Sequence, residues 1–300
     1  MIDLTVVIPV YKNEEKFLEF FNHNLNFFKN LPVIIMDDYP LSKLKNKLPK
    51  SKNILYVLNK SNLGFSANVN KGVKLTRTKY VLILNSDVKL LNNKFLQVVK
   101  RFKPDTFAFS FKQKEKDNRF VGRNIVYFRR GLFYHSAVEK FENGYNAWAD
   151  GGVMLAATRK FLRLGGFSSL YKPFYWEDID LSYRAWKMGW KVYFVNDFYV
   201  LHQHQTTISK YFKEIYIKTT AYRNQFYFCW RNIADFTLLL KHLLFLPANL
   251  ILISIKDPLF LVAFFWALAT VYKPVKERFK FGRFKLNDKT VLRIFKDRIK

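Results

Sequence analysis

Four apolar, β-branched runs within the first 90 residues, at 5–10, 32–36, 53–58 and 80–84, constrain this chain more than any other feature. Between the first two, Phe17, Leu18, Phe21 and Leu25 recur at spacings of three and four, and residues 66–75 also read as a helix, so strands alternate with helices. A strand that is apolar along its whole length is buried on both faces, which is the condition of a parallel sheet between helical layers. The expected class is α/β with a mostly parallel central sheet. Ligands of such sheets bind beyond the carboxyl ends of the strands, so Tyr11, Asp37, Asp38 and Asp87 should gather along one edge.

Residues 107–134 read as short strands. Asp150-Gly151-Gly152 then leads into an apolar strand at 153–157, and Tyr175-Trp176-Glu177-Asp178-Ile179-Asp180 opens a helix expected over 177–188 and ended by Gly189. A last strand at 190–195 precedes His202 and His204. After about residue 208 the composition turns aromatic and apolar. The stretch 233–254 is interrupted by Lys241, His242 and Pro247, and the run 259–272 falls short of the roughly 20 residues needed to cross a bilayer. C-terminal amphipathic helices lying in the membrane interface are expected instead. Residues 273–300 carry eleven Lys and Arg against three acids, and the whole chain has 51 basic against 23 acidic residues, a net +28 that seeks polyanions such as an anionic membrane face. A lone cysteine, Cys229, excludes a disulfide framework and a Cys-built zinc site. The N-terminal apolar run lacks a basic flank, and no secretory signal is expected.

Asp37 and Asp38, at a strand end, can accept hydrogen bonds from a nucleobase imide or a ribose hydroxyl, although a solvated strand end has the same pattern. In Asn62-Leu63-Gly64-Phe65-Ser66, with Asn68, Asn70 and Gly72, Gly64 permits a tight turn and Ser66 is expected to cap the next helix, whose start can host a phosphate. Asn85-Ser86-Asp87 are turn formers, yet at the end of a central strand Asp87 supplies the single carboxylate that Mg²⁺ or Mn²⁺ needs beside phosphate oxygens. Three acids at a helix start suit the helix dipole, and Asp180 can pair with Arg184 one turn on. Beside Tyr175 and Trp176, whose rings stack on sugars, such a carboxylate is also a candidate general base. His202 is the candidate imidazole to complete the shell that Asp87 begins.

Taken in order, Val6-Val7-Ile8-Pro9-Val10-Tyr11, Asp37-Asp38, Asn62-x-Gly64-Phe65-Ser66-x-Asn68-x-Asn70-x-Gly72, Leu84-Asn85-Ser86-Asp87, Gly151-Gly152, Trp176-Glu177-Asp178-Ile179-Asp180 with Arg184, and His202 resemble the family-2 glycosyltransferases. The likeness is nearest to the bacterial rhamnosyltransferase-like branch that builds surface polysaccharides of the cell envelope. It covers about residues 1–207 and implies a GT-A catalytic domain there, with inverting, metal-dependent transfer from a nucleotide-diphosphate sugar. The chain beyond is expected to divide into an aromatic, apolar membrane-associating region at 208–272 and a basic tail at 273–300.

Position by position, the resemblance puts Pro9, Val10 and Tyr11 at the nucleobase, Asp38 on the base, and Asn68, Asn85 and Ser86 with the donor. It assigns Asp87 and His202 to Mg²⁺ or Mn²⁺, Asp178 to the base with Glu177 beside it, and Gly151, Gly152 and Trp176 to the acceptor. Asn85 departs from the family's first motif acid, and Tyr39-Pro40-Leu41 replaces a small polar loop. The implied acceptor is a lipid-linked or polysaccharide glycan at the cytoplasmic face of the cell membrane. A sugar-nucleotidyltransferase is the enzymatic alternative, but Pro9-Val10-Tyr11-Lys12-Asn13 is not a glycine-rich phosphate loop. A nucleic-acid-binding protein is the non-enzymatic one, motivated by charge and by basic and aromatic residues interleaved over 119–130. Acids clustered at the sheet edge would repel that partner, and no nucleic acid is expected.

Overall fold

The computed structural model describes residues 2–28, 30–202, 211–280, 282 and 284–296. The chain opens with β1 (Leu4–Val10), α1 (Glu14–Phe28), β2 (Val33–Asp37), β3 (Ile54–Leu58), α2 (Phe65–Leu75), β4 (Tyr80–Leu84), β5 (Val88–Leu90) and α3 (Phe95–Val98). Then come β6 (Thr106–Lys114), β7 (Phe120–Val121), β8 (Asn124–Arg129), β9 (Leu132–Ala137), β10 (Gly144–Tyr145), β11 (Val153–Ala157), α4 (Thr158–Arg163), α5 (Glu177–Lys187) and β12 (Lys191–His202). Helices α6 (Glu214–Asn232), α7 (Phe236–Lys256), α8 (Leu259–Ala269), α9 (Tyr272–Arg278) and α10 (Asp288–Lys296) complete the described chain.

The main sheet has the order β10-β12-β6-β11-β4-β1-β2-β3, and β8 and β9 form a separate hairpin. Strands β3, β2, β1 and β4 are parallel, and all residues of β1 and β2 are buried, whereas β3 departs from the expected burial: it is the edge strand, and Leu55 and Leu58 are exposed. β11 runs antiparallel between β4 and β6, which makes the other half of the sheet mixed. Two details differ from the sequence reading. Strand β12 continues past residue 195 through a register shift between Val195 and Tyr199, so His202 closes the strand and pairs with Val88 instead of following in a loop. His204 lies outside the described residues. Gly64, not Ser66, is the N-cap of α2, at φ 80°, and Ser66 is buried inside the first turn.

The core does not stop where the composition changes. Phe226, Phe228 and Ile233, near the end of α6, pack in one cluster with Trp176 and Trp186, and so do Val291 and Phe295 of α10, although α10 belongs to the basic tail. Its Asp288 accepts from Tyr183 Oη at 2.9 Å and pairs with Lys187 at 2.9 Å, so α10 is bolted to α5. Helix α7 is long and apolar enough to cross a membrane by length and composition. Its buried residues are Leu238, His242 and Asn249. His242 Nδ1 donates to Gly131 O at 2.6 Å while Nε2 accepts from Trp230 at 3.0 Å, and Asn249 donates to Arg130 O at 2.6 Å. Thus His242, which interrupts the apolar run, ties α7 to the β8–β9 turn. Beyond it, α8 and α9 meet at a bend of 64°.

Candidate active site

The carboxyl end of β1 turns sharply, with Lys12 and Asn13 both left-handed at φ 56° and 51°. Tyr11 sits there half-buried, edge-on to Tyr39 at 6.2 Å, whereas Pro9 and Val10 are buried in the strand and Val10 belongs to the core. Asp37 accepts from Tyr56 Oη at 2.8 Å and from Tyr39 N at 3.1 Å. Asp38 accepts from Asn59 Nδ2 at 2.8 Å, Leu63 N at 2.9 Å and Gly64 N at 2.8 Å. Asn68, 2% exposed, donates to Met36 O at 2.8 Å and accepts from Asn59 at 2.7 Å. Asp38 and Asn68 therefore hold the loop and helix that border the cleft. Gly72 lets that helix lie close to the sheet, because a Cβ there would come within 2.6 Å of Val7 Cγ1.

Two adjacent glycines organise the centre. Asn85 N donates to Gly152 O at 2.8 Å, Gly152 N to Asp150 Oδ1 at 2.8 Å, and Gly151 N to Asp178 Oδ2 at 3.0 Å. A Cβ on Gly152 would lie 2.6 Å from His202 Cε1, 3.0 Å from Asp150 Oδ1 and 3.1 Å from Asn85 Nδ2. His202 Nε2 is 3.4 Å from Asp87 Oδ1, and Ser86 is half-buried in the same turn as Asp87. Asp87, His202, Asp150 and Asp178 thus converge from four segments on one backbone step. Gly152→Ala is expected to displace His202 or Asp150 and to lower kcat/KM by roughly 100-fold, since small misplacements at a reacting centre have that scale; steady-state rates against wild type check it.

Burial first, and the Asp150 charge next, push the Asp178 carboxyl up to about 7. Burial and the Asp178 charge push Glu177 well above the usual carboxylate range, and its Oε2 is buried with no hydrogen-bond partner. The backbone that presents these acids is strained: Tyr175 and Trp176 are left-handed at φ 71° and 77°, a cost of about 1–3 kcal/mol each. Helix α6 holds them there. Asn224 Nδ2 donates to the carbonyls of Tyr171, Phe174 and Tyr175 at 3.0, 2.9 and 3.0 Å, and Phe228 packs on Trp176 at 5.0 Å between ring centroids. His135 meets Trp176 at 5.0 Å and Trp148 at 5.3 Å, edge-on to both. Asp180, although in the same acidic run, faces the interior. It takes Tyr171 Oη and Asn232 Nδ2 on one oxygen and Arg184 Nε and Arg231 on the other, at 2.8–2.9 Å, and is fully buried.

Among the described residues no three His, Cys, Asp or Glu side chains form a metal shell. Asp87 and His202 offer two donors, and the buried Asn85 Oδ1 beside them has no hydrogen-bond partner. His202 Nδ1 donates to Gln113 Oε1 at 2.5 Å, which turns the lone pair of Nε2 toward the Asp87 carboxylate, an opposition that a cation relieves. The set fits a hard divalent ion whose remaining ligands are phosphate oxygens and water. Three contributors were not singled out from sequence: Asp150 beside Asp178, fully buried Gln113 behind His202, and Asn224 under the strained turn. Asp150 alone had a local signal, in its place before the two glycines.

Comparison with known proteins places the chain in a family and a fold. Rhamnosyltransferase WbbL of Escherichia coli (strain K12) is 25% identical over 220 residues, covering 66% of this chain and 83% of its own. An uncharacterized glycosyltransferase of Methanocaldococcus jannaschii is 33% identical over 91 residues, 28% of this chain and 31% of that one. Among solved structures, GalNAc-T7 with UDP, GalNAc and Mn²⁺ superposes with a TM-score of 0.60 at 14% identity, over 78% of this chain and 48% of that chain, a likeness of GT-A fold. The family model described as Glycosyl transferase family 2 matches residues 5–163. That match takes in more than half of the sequence, from Thr5 in β1 through β11 and α4, so the chain belongs to glycosyl transferase family 2.

Proposed function

We propose that this glycosyltransferase moves a hexosyl or deoxyhexosyl group, with inversion, from a nucleotide-diphosphate sugar to a hydroxyl of a lipid-linked or growing glycan at a membrane surface. The observation that carries the reading is Asp178, a carboxyl raised to about 7 and bonded to Gly151, one residue from the glycine that packs on His202. A carboxylate so poised takes the proton from an attacking hydroxyl near neutral pH. Attack by that hydroxyl opposite the leaving diphosphate is a single displacement, which inverts the anomeric carbon. Trp176 and Trp148 are buried, only 5% and 7% exposed, and back this position rather than facing a ligand; the exposed His135, edge-on to both, is the ring left to meet an acceptor sugar. Asp87 and His202 would hold Mg²⁺ or Mn²⁺, which when bound offsets the charge gathering on the diphosphate. The UDP and Mn²⁺ named with GalNAc-T7 support that donor class. Exposed Leu244, Ile251, Ile255 and Phe265 on α7 and α8, next to a net-positive tail, support the membrane location.

Mass spectrometry of products from a panel of nucleotide sugars, with Mn²⁺ and then with chelator, tests the reading. Transfer from none of them would sink it, and transfer undiminished by chelation would remove the cation. Gln113→Leu is expected to weaken Mn²⁺ binding roughly 10-fold or more, the scale for losing a partner that orients a ligand histidine. Calorimetric titration of Mn²⁺ in the presence of nucleoside diphosphate measures it, and turnover should recover at high Mn²⁺.

A further inference from the structure

A cavity of about 210 Å³, lined by none of the acids of the cleft, lies between the β8–β9 hairpin and α7. The tip residues Arg129 and Arg130 line one side, Tyr127 and Tyr134 another, and Asn249, Leu252 and Ile253 of α7 the third. Both arginines are exposed, and among the described residues neither guanidinium pairs with a carboxylate. The tyrosine rings are stacked at 5.6 Å and 18°, and partial burial raises the Tyr134 hydroxyl pKa. The turn is held in place by side chains of α7, through His242 on Gly131 O and Asn249 on Arg130 O, so the backbone that carries the two cations is tied to the helix. One wall is thus cationic and phenolic and the opposite one aliphatic. Leu252 is 54% exposed and continues into Ile251 and Ile255 at 62% and 75%.

From this juxtaposition we propose that the cavity binds the phosphate of an anionic membrane phospholipid, with the acyl chains laid along the exposed face of α7. The cavity, about 210 Å³ and open to solvent, has room for a phosphate group. A free phosphate has no use for the aliphatic wall, and a zwitterionic headgroup places a second cation against two arginines. Bidentate guanidinium–phosphate bonds and tyrosine hydroxyls supply the recognition. The inference rests on the membrane-surface reading above and adds to it a defined headgroup site and an orientation: the hairpin tip faces the bilayer, and the same hairpin carries His135 to the edge of the acceptor wall at Trp176.

Vesicle sedimentation tests it, comparing the full chain with Arg129→Ala/Arg130→Ala and with Lys50→Ala/Lys52→Ala, which removes the same charge from another exposed segment. On vesicles containing phosphatidylglycerol the arginine pair is expected to lose roughly tenfold in partitioning and the lysine pair much less. Equal loss in both variants would overturn the site and leave only net charge. Equal binding of wild type to pure phosphatidylcholine vesicles would overturn the anionic specificity. Release of wild type by inorganic phosphate, at matched ionic strength, to the level of the arginine variant would assign the cavity to free phosphate instead. The thermal shift of the same protein by nucleoside diphosphate plus Mn²⁺ reports the donor site separately. That shift with no vesicle discrimination defeats this inference alone, and its absence defeats the reading of the catalytic cleft.

Discussion

Asp178→Asn is expected to lower kcat by roughly 10²- to 10⁴-fold, the range of a lost general base, while nucleoside diphosphate plus Mn²⁺ still raises the thermal midpoint. Asp178 is pushed up chiefly by burial and then by Asp150, so the wild-type rate should climb with pH through about 7 as the carboxyl ionises. The residual activity of the variant should lack that limb. Stability runs the other way. A carboxyl whose folded pKa lies above its unfolded value of about 3.9 holds its proton more tightly in the folded state, so stability falls as pH rises from there through about 7. Asparagine cannot ionise, and at pH 8 the variant should melt no lower than wild type. Turnover equal to wild type, or a pH limb that survives the substitution, would remove Asp178 as the base.

Two residues along the same helix, Asp180→Ala is expected to do the opposite and strike the fold. Removing this carboxylate leaves Arg184 and Arg231 buried together without their shared partner, and Tyr171 and Asn232 without their acceptor. Breaking one side of a buried charge network costs about 3–5 kcal/mol, against a total stability of about 5–15 kcal/mol. The thermal midpoint should drop on the order of 10 °C, or the chain should fail to fold. Burial alone would raise the Asp180 pKa, but Arg184 and Arg231 outweigh it and hold the carboxyl below its ordinary value. Its stabilisation is present above the unfolded value and is lost as pH falls through the folded one, so wild type should also weaken in acid below about pH 4. Melts followed by circular dichroism check both. A midpoint within about 2 °C of wild type would show that Asp180 braces nothing.

Local pattern made the parallel half of the sheet legible, because β1, β2 and β4 announce themselves by unbroken apolar runs and each strand end carries its polar residue. It also singled out Asp87, His202 and Asp178, with the family resemblance, and the fold brings them to the neighbourhood of Gly151 and Gly152. What separated Asp178 from Asp180 was not local: a helix start with three acids looks the same whichever carboxylate turns inward, and the choice is made by Arg231 and Asn232, some fifty residues on. Gln113 reads as an ordinary strand residue until β6 pairs with β12 and brings it to His202 across 89 positions. Asn224 reads as a polar residue in an aromatic helix until its amide meets three carbonyls of the 171–175 turn. Sequence reading also set the basic C-terminal stretch apart by charge, whereas Val291 and Phe295 alternate with that charge at helical spacing and are wholly buried.

The anchoring of Asp288 to Tyr183 and Lys187 has a consequence for how the chain comes into being. Nearly everything that defines the cleft has been translated by residue 202, yet the α5 side of the protein lacks its closing wedge until residues 288–296 leave the ribosome. Until then Tyr183 and Lys187 wait uncovered, and a message truncated just upstream of codon 288 would yield a polypeptide with the acids, His202 and the bracing helix α6 present and a hole in its interior, a ready target for cellular proteolysis.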